Sequence, residues 1–201
     1  YSISSDVTDS SAYRISVKRE IKTDGSIGVG SSWLHDQAKV GGTIEVAAPR
    51  GKFILNLVSG RPVLLLSADV GLMPLVSMLH SLQFLSNDVL HIHTCANSDV
   101  HAFRGEIDFI SEKSKGRIRT HYIYRHPTKK DHELSRFDSQ KPVNKELIQS
   151  LYPIGDYDLY LCGPNYFMKD MLELFQEIGL GPDKMSYEFY DETNDYDLLK
   201  L

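Results

Sequence analysis

Hydrophobic and polar positions follow two different patterns along the chain, and the change lies near residue 60. In the first part, short stretches of β-forming residues, Ala12–Val17 and Thr43–Val46, alternate with turns rich in glycine and serine. Between them Trp33–Ala38 fits a short helix, with Ser31 or Ser32 at the N-cap. The pattern therefore predicts mainly β structure in the first part.

From Arg61 onward, apolar runs of strand length alternate with segments of helical periodicity. Pro62–Ser67 is a continuous apolar run, which is typical of a strand buried on both faces of a sheet. Apolar side chains in Pro74–Leu85 recur every three or four residues, which predicts a helix. The charged segment Arg125–Lys141 is predicted to be a surface loop. Further strands are predicted at Val89–Cys95, Arg117–Tyr124, Tyr157–Cys162 and Lys184–Tyr190, and further helices at Phe103–Lys113, Lys145–Leu151 and Tyr166–Ile178.

Strands that alternate with helices indicate an α/β fold with a parallel sheet and helices on both faces. Ligands of such sheets bind at the carboxyl ends of the strands, where the strand order reverses. The change of pattern predicts two domains, residues 1–57 and residues 58–201.

Composition narrows the classes of function. A net charge of -5 over 201 residues argues against a nucleic-acid binder, which needs a basic face. Cys95 and Cys162 form no Cys-x-x-Cys pair, and His91 and His93 have no third ligand at matching spacing, so we expect no metal site. The longest apolar run is about half a membrane span and no signal peptide is visible, so we expect a cytoplasmic protein. Because residue 1 is Tyr, we expect an N-terminal portion to precede it.

The first strand of the second part leads into the segment Ser67–Pro74, which reads Ser-Ala-Asp-Val-Gly-Leu-Met-Pro. Gly71 would let a pyrophosphate approach the backbone, and the free amides at a helix start favour anions. Pro74 suits the first turn of a helix because no N–H is needed there. The segment fits either a dinucleotide turn or an ordinary connection between strand and helix.

The fourth strand leads into Cys162-Gly163-Pro164 and then directly into a helix. In a parallel sheet this strand end should face the same crevice as Ser67 and Gly71. The alternative is that Cys162 only fills space in the core and that Gly163-Pro164 is only a turn.

These two motifs in this order resemble the ferredoxin-reductase family. Ser67–Pro74 resembles its dinucleotide turn G-x-G-x-x-P, and Leu161–Met168 resembles its C-G-P-x-x-F-M signature. Tyr1-Ser2 resembles the end of its flavin motif R-x-Y-S. Three more segments resemble the flavin-pyrophosphate region and the closing barrel strand: Val17–Glu20, Gly28–Asp36 and Ala48–Phe53. Strings that narrow the resemblance to the reductase half of flavohemoglobins are Asp99–Phe103, Tyr124-Arg125, Phe137–Ser139 and Tyr187-Glu188.

The resemblance implies a five-stranded parallel nucleotide-binding sheet, preceded by the C-terminal part of an antiparallel FAD-binding β-barrel. On the flavin side, Ser2 would approach flavin N5 and Tyr1 would pack against the isoalloxazine. FAD phosphates would be held by Lys18, Gly28, Gly30, Ser31 and Ser32.

On the dinucleotide side, the resemblance implies that both motifs surround the nicotinamide and its pyrophosphate. Cys162 would position the nicotinamide, and Glu188 would tune the flavin or relay a proton, unless it is a solvated carboxylate. Together with Ser2, these two residues form the predicted catalytic set. On the flavin side, the predicted segment is Phe189, Tyr190 and Asp191, of which the aromatic residues would lie against the flavin. The predicted dinucleotide ligands are Ser67, Asp69, Val70, Gly71, Leu72, Met73, Pro74, Cys162, Gly163 and Pro164.

Some residues depart from the family pattern. Asp69 stands where the family usually has glycine, Met73 replaces threonine, and Asp191 replaces another glycine. A carboxylate near a pyrophosphate should repel it unless the carboxylate turns outward or pairs with a cation. Arg125 and Arg136 could contact an adenosine phosphate or could be solvated loop charges. The acidic Ser98-Asp99 segment after the second strand favours NADH over NADPH.

The resemblance implies an oxidoreductase that transfers hydride from NADH or NADPH to FAD. If a globin precedes Tyr1, the electron acceptor would be the globin haem of the same polypeptide, as in nitric oxide dioxygenases. Alternatives are a stand-alone reductase for an iron–sulfur protein or ferric chelate, and a non-catalytic interaction module. The departures at Asp69, Met73 and Asp191 motivate the last of these.

Overall fold

A computed structural model describes residues 1–21, 24–152 and 155–190. Its centre is a five-stranded parallel sheet. The five strands predicted from Arg61 onward are confirmed, with ends that differ from the prediction by at most one residue. The strands are β1 (Val63–Ala68), β2 (Val89–Cys95), β3 (Ile118–Tyr124), β4 (Asp158–Gly163) and β5 (Met185–Phe189).

Helices cover both faces of this sheet, as predicted. Alternate residues of β1 point to opposite faces, so Leu65 joins a core with the helices of residues 72–82 and 104–113, whereas Leu64 joins a core with the helices of residues 145–151 and 165–178. None of the helices in the described part is long and apolar enough to cross a membrane. The helices are α1 (Val29–Asp36), α2 (Leu72–Leu82), α3 (Arg104–Lys113), α4 (Lys129–Glu133), α5 (Lys145–Leu151) and α6 (Asn165–Ile178).

The strand order reverses between β1 and β4. From β1 the chain builds outward through β2 to β3, and then it returns to the other side of β1 to add β4 and β5. Ser67 of β1 is paired with Cys162 of β4, and Cys162 is paired with Glu188 of β5. The carboxyl ends that the sequence singles out therefore lie side by side at the switch point.

The first part of the chain differs from its prediction. Neither Ala12–Val17 nor Thr43–Val46 forms a strand, so both of these strand predictions are wrong. Isolated bridges join Ile3 to Ile15 and Ile21 to Ile27, but a strand needs a neighbour that pairs along its length. The described residues up to 57 therefore do not confirm the expected barrel, and the domain boundary stays a prediction.

Two local predictions are also corrected. Helix α1 begins four residues earlier than predicted, with Gly28 at the N-cap, so Ser31 and Ser32 lie inside its first turn. The segment predicted as a surface loop contains α4, because Thr128 and Asp131 form a reciprocal capping box: the Thr128 hydroxyl accepts from the Asp131 amide and the Asp131 carboxylate accepts from the Thr128 amide. The Asp131 side chain is consequently buried.

Candidate functional site

The turn after β1 touches the end of β4. A Cβ atom on Gly71 would lie 2.2 Å from the Cys162 carbonyl oxygen and 2.6 Å from the Gly163 amide nitrogen. The two predicted loops therefore do converge on one crevice. Gly71 has an ordinary helical φ of -60°, so the close approach of β4 is what requires a glycine there. The sequence prediction assigned this glycine to a pyrophosphate, whereas the structure gives it a packing reason.

The start of α2 lies beside the end of β4 and is a candidate anion-binding element. Its N-cap is Gly71, which has no side chain to accept hydrogen bonds from the first-turn amides, and no acidic residue lies in the first turn. Pro74 is the third helical residue, where its missing N–H costs nothing. Met73 and Pro74 are half-buried. A 3₁₀ turn over Asp69–Gly71 leads directly into α2, and the Leu72 amide already donates to the carbonyls of Asp69 and Val70. The helix dipole favours a phosphate group at this helix start.

Asp69 lies between β1 and α2, in the left-handed backbone region with a φ of +50°. Its carboxylate forms an ion pair with Arg125, with distances of 2.9 and 3.1 Å from Nη2 to the two oxygens. It also accepts a hydrogen bond of 3.2 Å from the Tyr166 hydroxyl. Of the two alternatives stated from the sequence, that the carboxylate turns outward or pairs with a cation, the structure shows the second.

Ser67 is fully buried beneath the crevice. Its Oγ lies 2.9 Å from Nδ1 of His93 on β2. Burial holds the pKa of His93 well below its ordinary value, and nearby cationic groups lower it further. The imidazole is therefore neutral, and its contact with Ser67 links the carboxyl-end parts of β1 and β2.

The three predicted catalytic residues are brought together at the β4–β5 end of the crevice. The Ser2 hydroxyl donates a 3.3 Å hydrogen bond to Oε2 of Glu188, and Glu188 is the β5 partner of Cys162. Burial raises the pKa of the Cys162 thiol strongly, and the Glu188 charge adds to this effect. A thiol that stays protonated suits a positioning role better than a nucleophilic one. The individual roles of the three residues stay predictions.

The backbone after Cys162 is closely enclosed. A Cβ on Gly163 would lie 2.6 Å from the Phe167 ring, and Pro164 is buried at the N-cap of α6. On β5, Phe189 pairs with Gly163, and the next residue, Tyr190, is about half exposed at the same edge of the sheet. The predicted site residue Asp191 lies outside the described residues.

Of the residues predicted to bind FAD phosphates, the structure places Gly28, Gly30, Ser31 and Ser32 at the start of α1, but not Lys18. A Cβ on Gly30 would lie 3.3 Å from the Tyr1 hydroxyl oxygen, which brings Tyr1 to this helix. Ser31 Oγ accepts from the Glu20 amide and donates to the Gly28 carbonyl. Lys18 is exposed and follows Val17, whose carbonyl oxygen is 2.9 Å from His35 of α1.

One side chain at this helix start has an unsatisfied hydroxyl. Ser32 Oγ is buried and has no hydrogen-bond partner in the described part of the chain, so it could donate to a phosphate oxygen. The Glu20 carboxylate lies against Gly28, because a Cβ there would be 2.3 Å from Oε2. An anionic group therefore already lies at this helix start: the Ser32 hydroxyl fits a flavin phosphate, whereas the Glu20 carboxylate must move away before a phosphate can bind.

Sequence reasoning missed parts of this site. The sequence gives no indication that the buried His93 contacts Ser67. For Tyr166 it predicts only the start of a helix. For Arg125 it leaves open a phosphate contact or a solvated loop charge, and the ion pair with Asp69 joins residues that are 56 positions apart. Local spacing carries no signal for a contact between two such distant loop residues.

Comparisons with known proteins agree with this geometry. The family model described as oxidoreductase NAD-binding domain matches residues 65–173, which is more than half of the chain. The flavohemoprotein of Bacillus thuringiensis subsp. konkukian is 35% identical over 192 residues, covering 94% of this chain and 47% of that protein. The chain thus spans about half the length of the curated relatives it matches.

Solved structures give the same assignment. The flavohem-like FAD/NAD-binding domain of the Vibrio cholerae nitric oxide dioxygenase is 32% identical, with a TM-score of 0.75, covering 89% of this chain and 71% of that one. A flavohemoglobin from Malassezia yamatoensis, with bound FAD and heme, shares the fold at a TM-score of 0.53 and 18% identity, covering 66% of this chain and 32% of that one. The chain therefore belongs to the oxidoreductase NAD-binding domain family, in its flavohemoprotein branch.

Proposed function

We propose that this chain is a reductase module that binds NADH or NADPH at the β1–β4 switch point and FAD on the side of Tyr1, Ser2 and α1. The observation that carries the proposal is the convergence of Ser2, Cys162 and Glu188 beside the Gly71 turn. When bound, the two cofactors supply the hydride chemistry. The task of the chain is to align them and to exclude water.

Each part of the crevice has a distinct task in this proposal. The first-turn amides of α2 bind a phosphate of the dinucleotide. The buried Cys162 thiol and the enclosed backbone at Gly163 limit where the nicotinamide can lie. The Ser2 hydroxyl is held by the Glu188 carboxylate, so that its position relative to the flavin is fixed.

The group that accepts electrons from FAD is proposed for the complete polypeptide. Similar proteins carry the names flavohemoprotein and nitric oxide dioxygenase, and a structural neighbour contains FAD and heme. These names support a globin haem as the electron acceptor and nitric oxide dioxygenation as the activity of the complete polypeptide.

The test is anaerobic reduction of the purified chain supplied with FAD. We expect NADH or NADPH to bleach the flavin absorbance, and Cys162→Ala to slow this step at least tenfold, because a small misplacement of reacting atoms is costly. Glu188→Gln should also slow it, whereas Glu177→Gln, on the exposed surface of α6, is the matched control. A protein that binds FAD but is inert to both dinucleotides would contradict the proposal and favour a non-catalytic module.

A further inference from the structure

An ion pair crosses the dinucleotide crevice above the end of β2. Arg125 follows β3 directly, and its backbone amide donates a 3.0 Å hydrogen bond to the carbonyl of Cys95 at the end of β2. Its guanidinium group reaches over this strand to the carboxylate of Asp69 at the end of β1. Tyr166 of α6 contacts the same carboxylate from the β4 side. The negative charge is thus held in the middle of the crevice.

The backbone conformation at Asp69 is strained. Asp69 has a φ of +50°, a conformation that glycine adopts freely and other residues adopt with strain. The Asp69 side chain remains about one quarter exposed and that of Arg125 about one third, so a ligand in the crevice can reach both. The Arg125 Nη1 atom is buried and has no hydrogen-bond partner within the described residues. The guanidinium group therefore retains a donor that Asp69 does not use.

A dinucleotide phosphate and the Asp69 carboxylate need the same cation. A phosphate at the first turn of α2 would lie close to Asp69, which precedes that turn by three residues. Two anions at this distance repel each other unless a cation is shared or exchanged. The guanidinium fork of Arg125 suits phosphate oxygens as well as it suits a carboxylate.

We propose that Asp69 is an internal competitor for Arg125: a phosphate group of the dinucleotide takes over the guanidinium that the carboxylate holds, and Asp69 thereby weakens dinucleotide binding. This inference rests on the proposed function. The phosphate is either the pyrophosphate, which NADH and NADPH share, or the additional 2′-phosphate of NADPH.

The test is a double-mutant cycle on the full chain, with NADH and NADPH binding measured by calorimetry. We expect Asp69→Asn, which tolerates the left-handed backbone, to lower the Kd for NADPH about tenfold. The same substitution in an Arg125→Met background should give a clearly smaller gain, because it then relieves only the direct repulsion between Asp69 and the phosphate and releases no cation. Asp88→Asn is the matched control, since it removes an equal charge at the opposite, amino end of β2.

Two outcomes support the inference and assign the phosphate. A gain limited to NADPH identifies the 2′-phosphate, and an equal gain with both dinucleotides identifies the pyrophosphate. The inference is overturned if Asp69→Asn changes neither Kd, or if its gain is equally large without Arg125. Failure of the wild-type chain and every variant to bind either dinucleotide would instead overturn the proposed function, and the inference with it.

Discussion

Residues 1–58 and residues 61–189 differ in how they are stabilised. In the second region, every residue of β1, β2 and β4 is buried between two layers of helices. In the first region, apolar side chains such as Val29 and Val46 are at least 80% exposed. Contacts with the second region hold the first in place, including the Arg14–Glu106 ion pair and the Phe53–Tyr160 ring contact. The described residues of the first region form no hydrophobic core of their own, so we infer that this region depends on its neighbour for order.

Hydrogen exchange should show this difference most strongly. Amides of β1 and β4 should exchange only on global unfolding, whereas the exposed segment of residues 38–50 should exchange through local opening. Because global stabilities are several kcal/mol, we expect protection factors that differ by at least about a thousandfold. Exchange followed by mass spectrometry measures this difference directly. Equal protection in both segments would mean that the first region unfolds only together with the sheet.

The same difference explains which parts of the fold the sequence predicts. The strands of the sheet are readable because burial on both faces requires continuous apolar runs, such as Pro62–Ser67. The alternating pattern of Ala12–Val17 suits a half-buried strand, but it becomes a strand only where a partner pairs with it. Helix α4 could have been predicted, since Thr128 and Asp131 have the spacing of a capping box.

The candidate site divides in a similar way. Topology places Gly71 beside Cys162, because the carboxyl ends of β1 and β4 meet wherever these strands are neighbours. The partner of Asp69 depends instead on which long side chain of another loop reaches it. The sequence therefore predicts where the crevice lies and that the Asp69 carboxylate there would repel a phosphate. The structure identifies Arg125 as the cation that pairs with this carboxylate.

The contact between the turn and β4 can be tested by filling its space. Gly71→Ala should lower the free energy of unfolding by about 3 kcal/mol, since the new methyl group would clash with the backbone of Cys162. Gly105→Ala is the matched control: nothing lies within 4 Å of a Cβ there, and the position is in a helix. It should raise stability by up to about 1 kcal/mol. Urea denaturation measures both changes, and a neutral Gly71→Ala would mean that the two loops do not touch.

Acid should act on the buried region through its histidines. Both ring nitrogens of His91 are buried without a partner in the described part of the chain, and burial, with the charge of His101, lowers its pKa from 6.5 to about 3. The unfolded state binds more protons between these values, so the free energy of unfolding falls as the pH drops, by about 1.4 kcal/mol per pH unit for this residue. His91→Leu should remove that slope between pH 6 and 4, as urea denaturation at several pH values would show. At pH 7 it should change stability by less than about 1 kcal/mol, because no hydrogen bond is lost. An unchanged slope would mean that His91 already has a proton acceptor or water as its partner.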